Sequence, residues 1–216
     1  MRSMRYTFII LLVALLAGAS WGATIQVPTD YPTIQQAITV ASAGDTILVS
    51  PGTYYGSITI DKPLIVKSTG GPEVTILDGN HVGEHYYMVR INSNDVVLDG
   101  FTITNPIYNR TADAAGVVIG SLGRNSNIRI TNCIIHDIGV PDRDPVSFGT
   151  FGINCGPVDG LEIDHCIIHG IHNGSPTQRA FGIFTWGNNE SDTTANISIH
   201  DNLIYDISSP SERNAG

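Results

Sequence analysis

Charge is scarce in this 216-residue chain. Asp, Glu, Lys and Arg make up 14% of it, well below the usual quarter. Basic residues are scarcer still: Lys and Arg number 11 against 20 acids, and Lys62 and Lys67 are the only lysines. A net charge of −9 leaves no basic surface for phosphates, which excludes nucleic acid as a partner. Three cysteines, Cys133, Cys155 and Cys166, are too few for a disulfide-built fold, and an odd number leaves at least one without a partner in its own chain. They read best as small buried apolar residues, with Cys133 and Cys166 as two thiols rather than a bridge. The longest apolar run, Phe8 to Ala19, has 12 residues, short of the roughly 20 that a spanning helix needs. Low charge beside 42% apolar residues excludes a disordered chain.

That apolar run sits in an export leader, Met1 to Gly22. Arg2 and Arg5 precede it, and the small residues Ser20 and Gly22 stand before a cut at Ala23. Removal would leave 194 residues with a net charge of −11, because the leader carries two Arg and no acid. Residues 23–216 then form one secreted, periplasmic or surface-bound domain with no later membrane span.

From about residue 94 the chain copies itself. Val96–Ile103, Ile128–Ile135, Leu161–Ile168 and Ile197–Ile204 are four copies whose third positions, Leu98, Ile130, Ile163 and Ile199, lie 32, 33 and 36 residues apart. Between them recurs a Gly-led motif at Gly116–Gly120, Gly152–Gly156 and Gly182–Trp186. A fixed period of this kind signals a solenoid. Apolar and polar residues alternate at period two within each copy, break at a polar pair such as Thr131-Asn132, then resume. That is strand, bend, strand; the Gly-led motif adds a third strand, and the sum is a parallel β-helix. Four core columns follow: Val96/Ile128/Leu161/Ile197, Leu98/Ile130/Ile163/Ile199, Ile103/Ile135/Ile168/Ile204 and Ile138/Ile171/Ile207. Phe101, Cys133, Cys166 and Asn202 share a column at the bend. Upstream, Thr33 caps a helix with apolar face Ile34, Ala37, Ile38 and Ala41, which Gly44 ends and which covers the first coil. Short strands follow at Thr46–Val49, Ser57–Ile60, Leu64–Lys67, Val74–Leu77 and Tyr87–Ile91, with Pro51-Gly52 among the turns. About five coils result.

Tyr31-Pro32-Thr33-Ile34-Gln35-Gln36-Ala37-Ile38, Gly44-Asp45-Thr46-Ile47, Pro51-Gly52-Thr53-Tyr54 and Thr75-Ile76-Leu77-Asp78-Gly79 resemble the opening segment of the pectin-lyase-like superfamily, and the later copies resemble its right-handed β-helix repeats. The resemblance covers nearly all of residues 23–216 and implies an all-β, right-handed parallel β-helix with an N-terminal capping helix. It does not fix an activity, since lyases, hydrolases, esterases, epimerases, tailspikes, adhesins and copper-site maturation proteins share the scaffold. The Gln-Asp-Thr and Asp-Phe-Ile-Phe-Gly stretches of pectin methylesterases do not occur here, nor do the Asn-Thr-Asp, Asp-Asp and Gly-His-Gly signatures of polygalacturonases.

In such enzymes substrate lies along one outer strand face walled by long turns. The corresponding turns here are Thr104–Ala115, Asp137–Phe151 and Gly170–Phe181, beside strands that would show Val118, Asn154, Phe184 and Trp186. Asn154, Phe184 and Trp186 are the substrate-binding candidates: the rings either stack on sugars or form a satellite cluster. Asp142, Arg143, Asp144 and Arg179 are the catalytic candidates, the arginines as base or as bidentate partners of a uronate. Asp137, Asp142 and Asp144 supply carboxylate oxygens of the kind that bind Ca²⁺; the alternative is a solvated turn. His136, His169 and Tyr205 form an outer column that could hold Cu or Zn or serve as a polar ladder, with Ile134, Ile167 and Leu203 beside it. Three functions fit: an enzyme acting on acidic polysaccharide as polyuronate lyase or glycoside hydrolase, a non-catalytic glycan-binding or adhesion module, or a periplasmic metal-delivery protein. The apolar last coil implies a cover, either further coils, with 23–216 a truncated piece, or a partner.

Overall fold

A computed structural model describes residues 22–80, 86–106, 113–120, 123–140, 149–174, 178–187 and 194–209. Strand β1 (Thr24–Val27) leads into helix α1 (Ile34–Val40), and three-strand coils follow. The first is β2 (Thr46–Val49), β3 (Gly52–Tyr55) and β4 (Ile58–Ile60); the second β5 (Ile65–Ser68), β6 (Thr75–Asp78) and β7 (Tyr87–Ile91). The third is β8 (Val96–Asp99), β9 (Thr102–Thr104) and β10 (Ala114–Ile119); the fourth β11 (Asn125–Thr131), β12 (Ile134–Val140) and β13 (Thr150–Cys155). The fifth is β14 (Val158–Asp164), β15 (Ile167–Asn173) and β16 (Ala180–Thr185). β17 (Ala195–His200), β18 (Leu203–Ile204) and β19 (Ile207–Ser208) continue past it. The strands stack into three parallel sheets: β1-β2-β5-β8-β11-β14-β17, β3-β6-β9-β12-β15-β18 with β19 also on β15, and β4-β7-β10-β13-β16. This is an all-β, right-handed parallel β-helix with a short N-terminal helix, as the right-handed rule for parallel crossovers requires.

The core sits inside the three sheets as ladders of like residues. The register pairs Val96, Ile128, Leu161 and Ile197 in one column and Leu98, Ile130, Ile163 and Ile199 in the next, as their spacing implies. Ile103/Ile135/Ile168/Ile204 and Ile138/Ile171/Ile207 hold likewise. Leu98, Ile130 and Ile163 are fully buried, each contributing roughly 1.5–3 kcal/mol. The first sheet turns into the second through two residues in every copy. The first of the two is in the left-handed region: Gly100 at φ 85°, Asn132 at 52°, His165 at 54° and Asp201 at 54°. The second points inward, so Phe101, Cys133 and Cys166 are buried in one stack, the cysteines as free thiols. Asn202 ends that stack, its amide accepting from Cys166 N (2.9 Å) and donating to Ile163 O (2.8 Å).

The last three third-sheet strands, β10, β13 and β16, each enter over a glycine. A Cβ at Gly116 would lie 2.6 Å from Ile135 Cγ2, at Gly152 2.7 Å from Ile168 Cγ2, and at Gly182 2.7 Å from Ile204 Cγ2. The Gly-led motif therefore marks where each coil settles on the isoleucine of the next.

Two local expectations are corrected. Thr33 caps α1, its Oγ1 accepting from Gln36 N at 3.2 Å, and Ile34, Ala37, Ile38 and Ala41 are buried. The helix ends at Val40 rather than at Gly44, because Lys62 Nζ donates to the carbonyls of Ile38, Thr39 and Ala41 at 3.0, 2.7 and 3.0 Å and holds the last turn there. Gly52, expected in a turn, opens β3; Gly52 N donates to Val74 O at 2.8 Å, which pulls the segment into the ladder.

Candidate functional site

The outer face of the third sheet carries aromatic residues where a solvated strand would carry polar ones. Tyr87, Ala115, Phe151 and Phe181 are paired in one column, and Arg90, Val118, Asn154 and Phe184 in another. Tyr87, Ala115 and Phe151 are buried, with Val118, Phe181 and Phe184 packed against them. Phe151 and Phe181 stack with centroids 5.6 Å apart at 7°, and Phe184 tilts against both at 5.4 and 4.8 Å. The Arg90 guanidinium lies 3.9 Å over the Tyr87 ring, a cation–π contact. Phe184 is thus mainly a member of a satellite cluster. Trp186 stands beside it, half-buried and fixed: its Nε1 donates to Asn154 Oδ1 at 3.1 Å and its backbone N to Cys155 O at 2.9 Å. Asn154 is thereby committed to orienting the indole. Asn154, Phe184 and Trp186 fall on one surface, as their spacing implies.

The other candidates are less gathered. Arg179 is exposed just before β16, its carbonyl accepting from Thr150 N at 3.2 Å. Asp137 is exposed and in the left-handed region, and His136 Nδ1 lies 2.9 Å from its Oδ2. Asp142, Arg143 and Asp144 lie outside the described residues. Among the described residues no group of three or more His, Cys, Asp or Glu side chains converges on a metal-sized point. His136 and His169 stack at 5.1 Å and 5°, and His169 and Tyr205 at 4.8 Å and 6°. Parallel rings a strand spacing apart do not aim two nitrogens at one ion, which needs Zn–N of about 2.0–2.1 Å from each.

A second polar constellation lies near the bend between the first two sheets, and the spacing of single residues does not announce it. Asp164 is fully buried and accepts from Arg129 Nε and Nη2, both at 2.9 Å, and from Thr131 Oγ1 at 2.8 Å; His165 Nδ1 lies 2.7 Å away. The Arg129 guanidinium holds the Asp164 carboxyl far below the usual carboxylate range, with His165 and Thr131 adding to it. Next to it His200 faces Asp201 Oδ2 at 2.9 Å and Glu162 Oε1 at 3.3 Å, which raise its pKa. The signal was present in the register: Thr131 pairs with Asp164, and Arg129 stands two residues earlier on the same outer face. The Lys67–Asp99 pair (2.8 Å), Glu73, Asn132 and His165 rim an adjoining groove of about 400 Å³ floored by Ile134 and Ile167.

Three stacked parallel sheets, a capping helix and an outward aromatic strip define a parallel β-solenoid structurally similar to pectin-lyase- and methylesterase-like proteins. Pectin methylesterase from carrot superposes with a TM-score of 0.53 at 14% identity, over 84% of this chain and 62% of that one. The pectin methylesterase of Aspergillus niger gives 0.46 at 15% identity, over 86% of this chain and 71% of that one. A cell surface glycoprotein of Methanothermus fervidus is 30% identical over 114 residues, 48% of this chain, and the chain matches 18% of its length. No family model matches the chain. Among the described residues no helix is long and apolar enough to cross a membrane.

Proposed function

We propose that this protein is an exported β-helix module that binds extracellular polysaccharide on the outer face of its third sheet. The observation that carries the reading is Trp186, an indole fixed by Asn154 at the edge of an aromatic strip. Such a ring presents an apolar face to the C–H side of a sugar at little entropic cost, since its side chain is already ordered. Similarity to part of a cell surface glycoprotein and the leader at 1–22 support the extracellular address.

Binding is favoured over turnover because the polar groups described beside the strip are already engaged with the protein, Asn154 with the indole of Trp186. Asp113 Oδ1, near the strip, already accepts from Gly149 N at 2.8 Å. Polyuronate cleavage would rest on Asp142, Arg143, Asp144 and Arg179, with Ca²⁺ held by Asp137, Asp142 and Asp144.

The test is retention on immobilised polygalacturonate, alginate, methylated pectin and neutral glucans, with product analysis in Ca²⁺ and in chelator. Binding to at least one of them is expected, weakened about tenfold by Trp186→Ala, a loss of about 1.4 kcal/mol. Release of unsaturated or reducing ends that disappears in Asp142→Ala or Arg179→Ala would replace the binding reading with the enzymatic one. Retention on none of the panel would end both.

A further inference from the structure

A second groove lies at the other end of the molecule, where α1 meets the first coil. It encloses about 290 Å³, at the small end of the range for ligand sites and enough for one or two sugar rings. Its lining includes Ile34 and Ile58, both buried, Tyr54, whose ring packs inward against the core, Tyr55, which projects outward, and the hydroxyl residues Thr53 and Ser57. Among the described residues no Asp, Glu, Lys, Arg or His lines it, in a chain of net charge −9. Tyr55 is 70% exposed, a large aromatic standing out from a strand. The hydroxyls of Thr53, Tyr55 and Ser57 have no hydrogen-bond partner among the described residues.

The helix side of the groove and the inward tyrosine are fixed before any ligand arrives. Gln35 ties α1 to β4 by accepting from Thr59 N at 2.7 Å and donating to Thr59 O at 3.4 Å. Tyr54 OH donates to Ser50 O at 2.9 Å, which sets its ring. A groove lined by apolar, aromatic and free hydroxyl groups matches a molecule with an apolar face and a rim of hydroxyls. A charged ligand would lose water here and gain no counter-charge. An aliphatic one would leave the rim hydroxyls without partners.

We propose that this groove binds a neutral pyranose unit, with the Tyr55 ring against its C–H face and Thr53 and Ser57 bonding its hydroxyls. The site is separate from the third-sheet strip and does not depend on it.

The experiment is an NMR titration of the whole protein with the methyl glycosides of glucose, galactose and mannose, at low and at high NaCl. Binding in the millimolar range is expected for at least one glycoside, unchanged by salt because no ion pair is involved. Tyr55→Ala should weaken it about tenfold, Tyr55→Phe should keep most of it, and Trp186→Ala should leave it unaltered. Persistence in Trp186→Ala separates this site from the polysaccharide strip, so either can fail alone. No titrating signal for any glycoside, or equal binding by wild type and a folded Tyr55→Ala variant, would overturn the proposal. So would binding that needs a uronate charge.

Discussion

Substituting alanine for the three stacked glycines separates a packing requirement from a side-chain accommodation. At Gly152 a Cβ would meet Gly182 O at 2.5 Å as well as Ile168 Cγ2 at 2.7 Å. The carbonyl belongs to the next coil, whose strand β16 pairs with β13 on both sides of the glycine, so the strands cannot part without loss of ladder bonds. Ile168 is fully buried and has nowhere to turn. At Gly182 the sole contact under 3 Å is Ile204 Cγ2 at 2.7 Å, and Ile204 is 43% exposed and free to rotate. Neither glycine has a positive φ, so alanine also gains about 0.4–1 kcal/mol by restricting the unfolded chain. Overpacking costs about 1–3 kcal/mol. With two contacts under 3 Å, one of them to backbone, Gly152→Ala falls at the top of that range and should destabilise by about 2 kcal/mol net, and Gly182→Ala should be near neutral. In urea, followed by far-UV circular dichroism, an m-value of about 2 kcal/mol/M turns the first into a midpoint drop of about 1 M. Equal losses at the two positions, or a neutral Gly152→Ala, would refute the view that coil-on-coil approach selects these glycines.

Two further outcomes follow from the interior. The Asp164 carboxyl is held below its unfolded value by Arg129, so it stabilises the fold above about pH 4 and that contribution fades as pH falls toward the folded pKa. Asp164→Asn should cost about 2 kcal/mol at pH 7, Arg129 being half-exposed, and thermal melts from pH 7 to 2 should then show a shallower acid decline than wild type. A parallel decline in both would show that Asp164 does not carry it. All three thiols are buried, burial pushes Cys155 up to about 12, and the contact with Cys166 together with burial raises Cys133. Ellman's reagent should find no reactive thiol in the native protein and three in denaturant; fast native labelling would contradict the stack.

The core was readable in advance because a solenoid writes each column several times. Leu98, Ile130 and Ile163 are unremarkable singly and diagnostic at a common period. Elements that occur once were harder to read. β3 has four residues and no copy, and its opening Pro51-Gly52 has the chemistry of a turn; only its partner β6 makes it a strand. The end of α1 depends on Lys62, more than twenty residues further on, which no local rule could place there. The surface was legible in register but not in depth: Val118, Asn154 and Phe184 align as spaced, yet whether a ring packs or projects depends on what lies beside it. Phe151 and Phe181, in the column next to Phe184, absorb that ring. Trp186 is held apart because Asn154 offers it an oxygen.

The corner between the first and second sheets keeps a length of two residues in the four copies from residue 96, at 100–101, 132–133, 165–166 and 201–202, whereas the second coil takes six residues there, 69–74. Its left-handed residue and its buried neighbour must each stack on their counterparts, so one added residue would throw two sheets out of frame. The unequal spacings of 32, 33 and 36 must then be absorbed at the other two corners, both of which adjoin the third sheet. Within these four copies one corner thus works as a ruler and two work as slack. A change in length within these copies is thereby directed to the corners around the aromatic face, where it reshapes the rim of whatever that face receives.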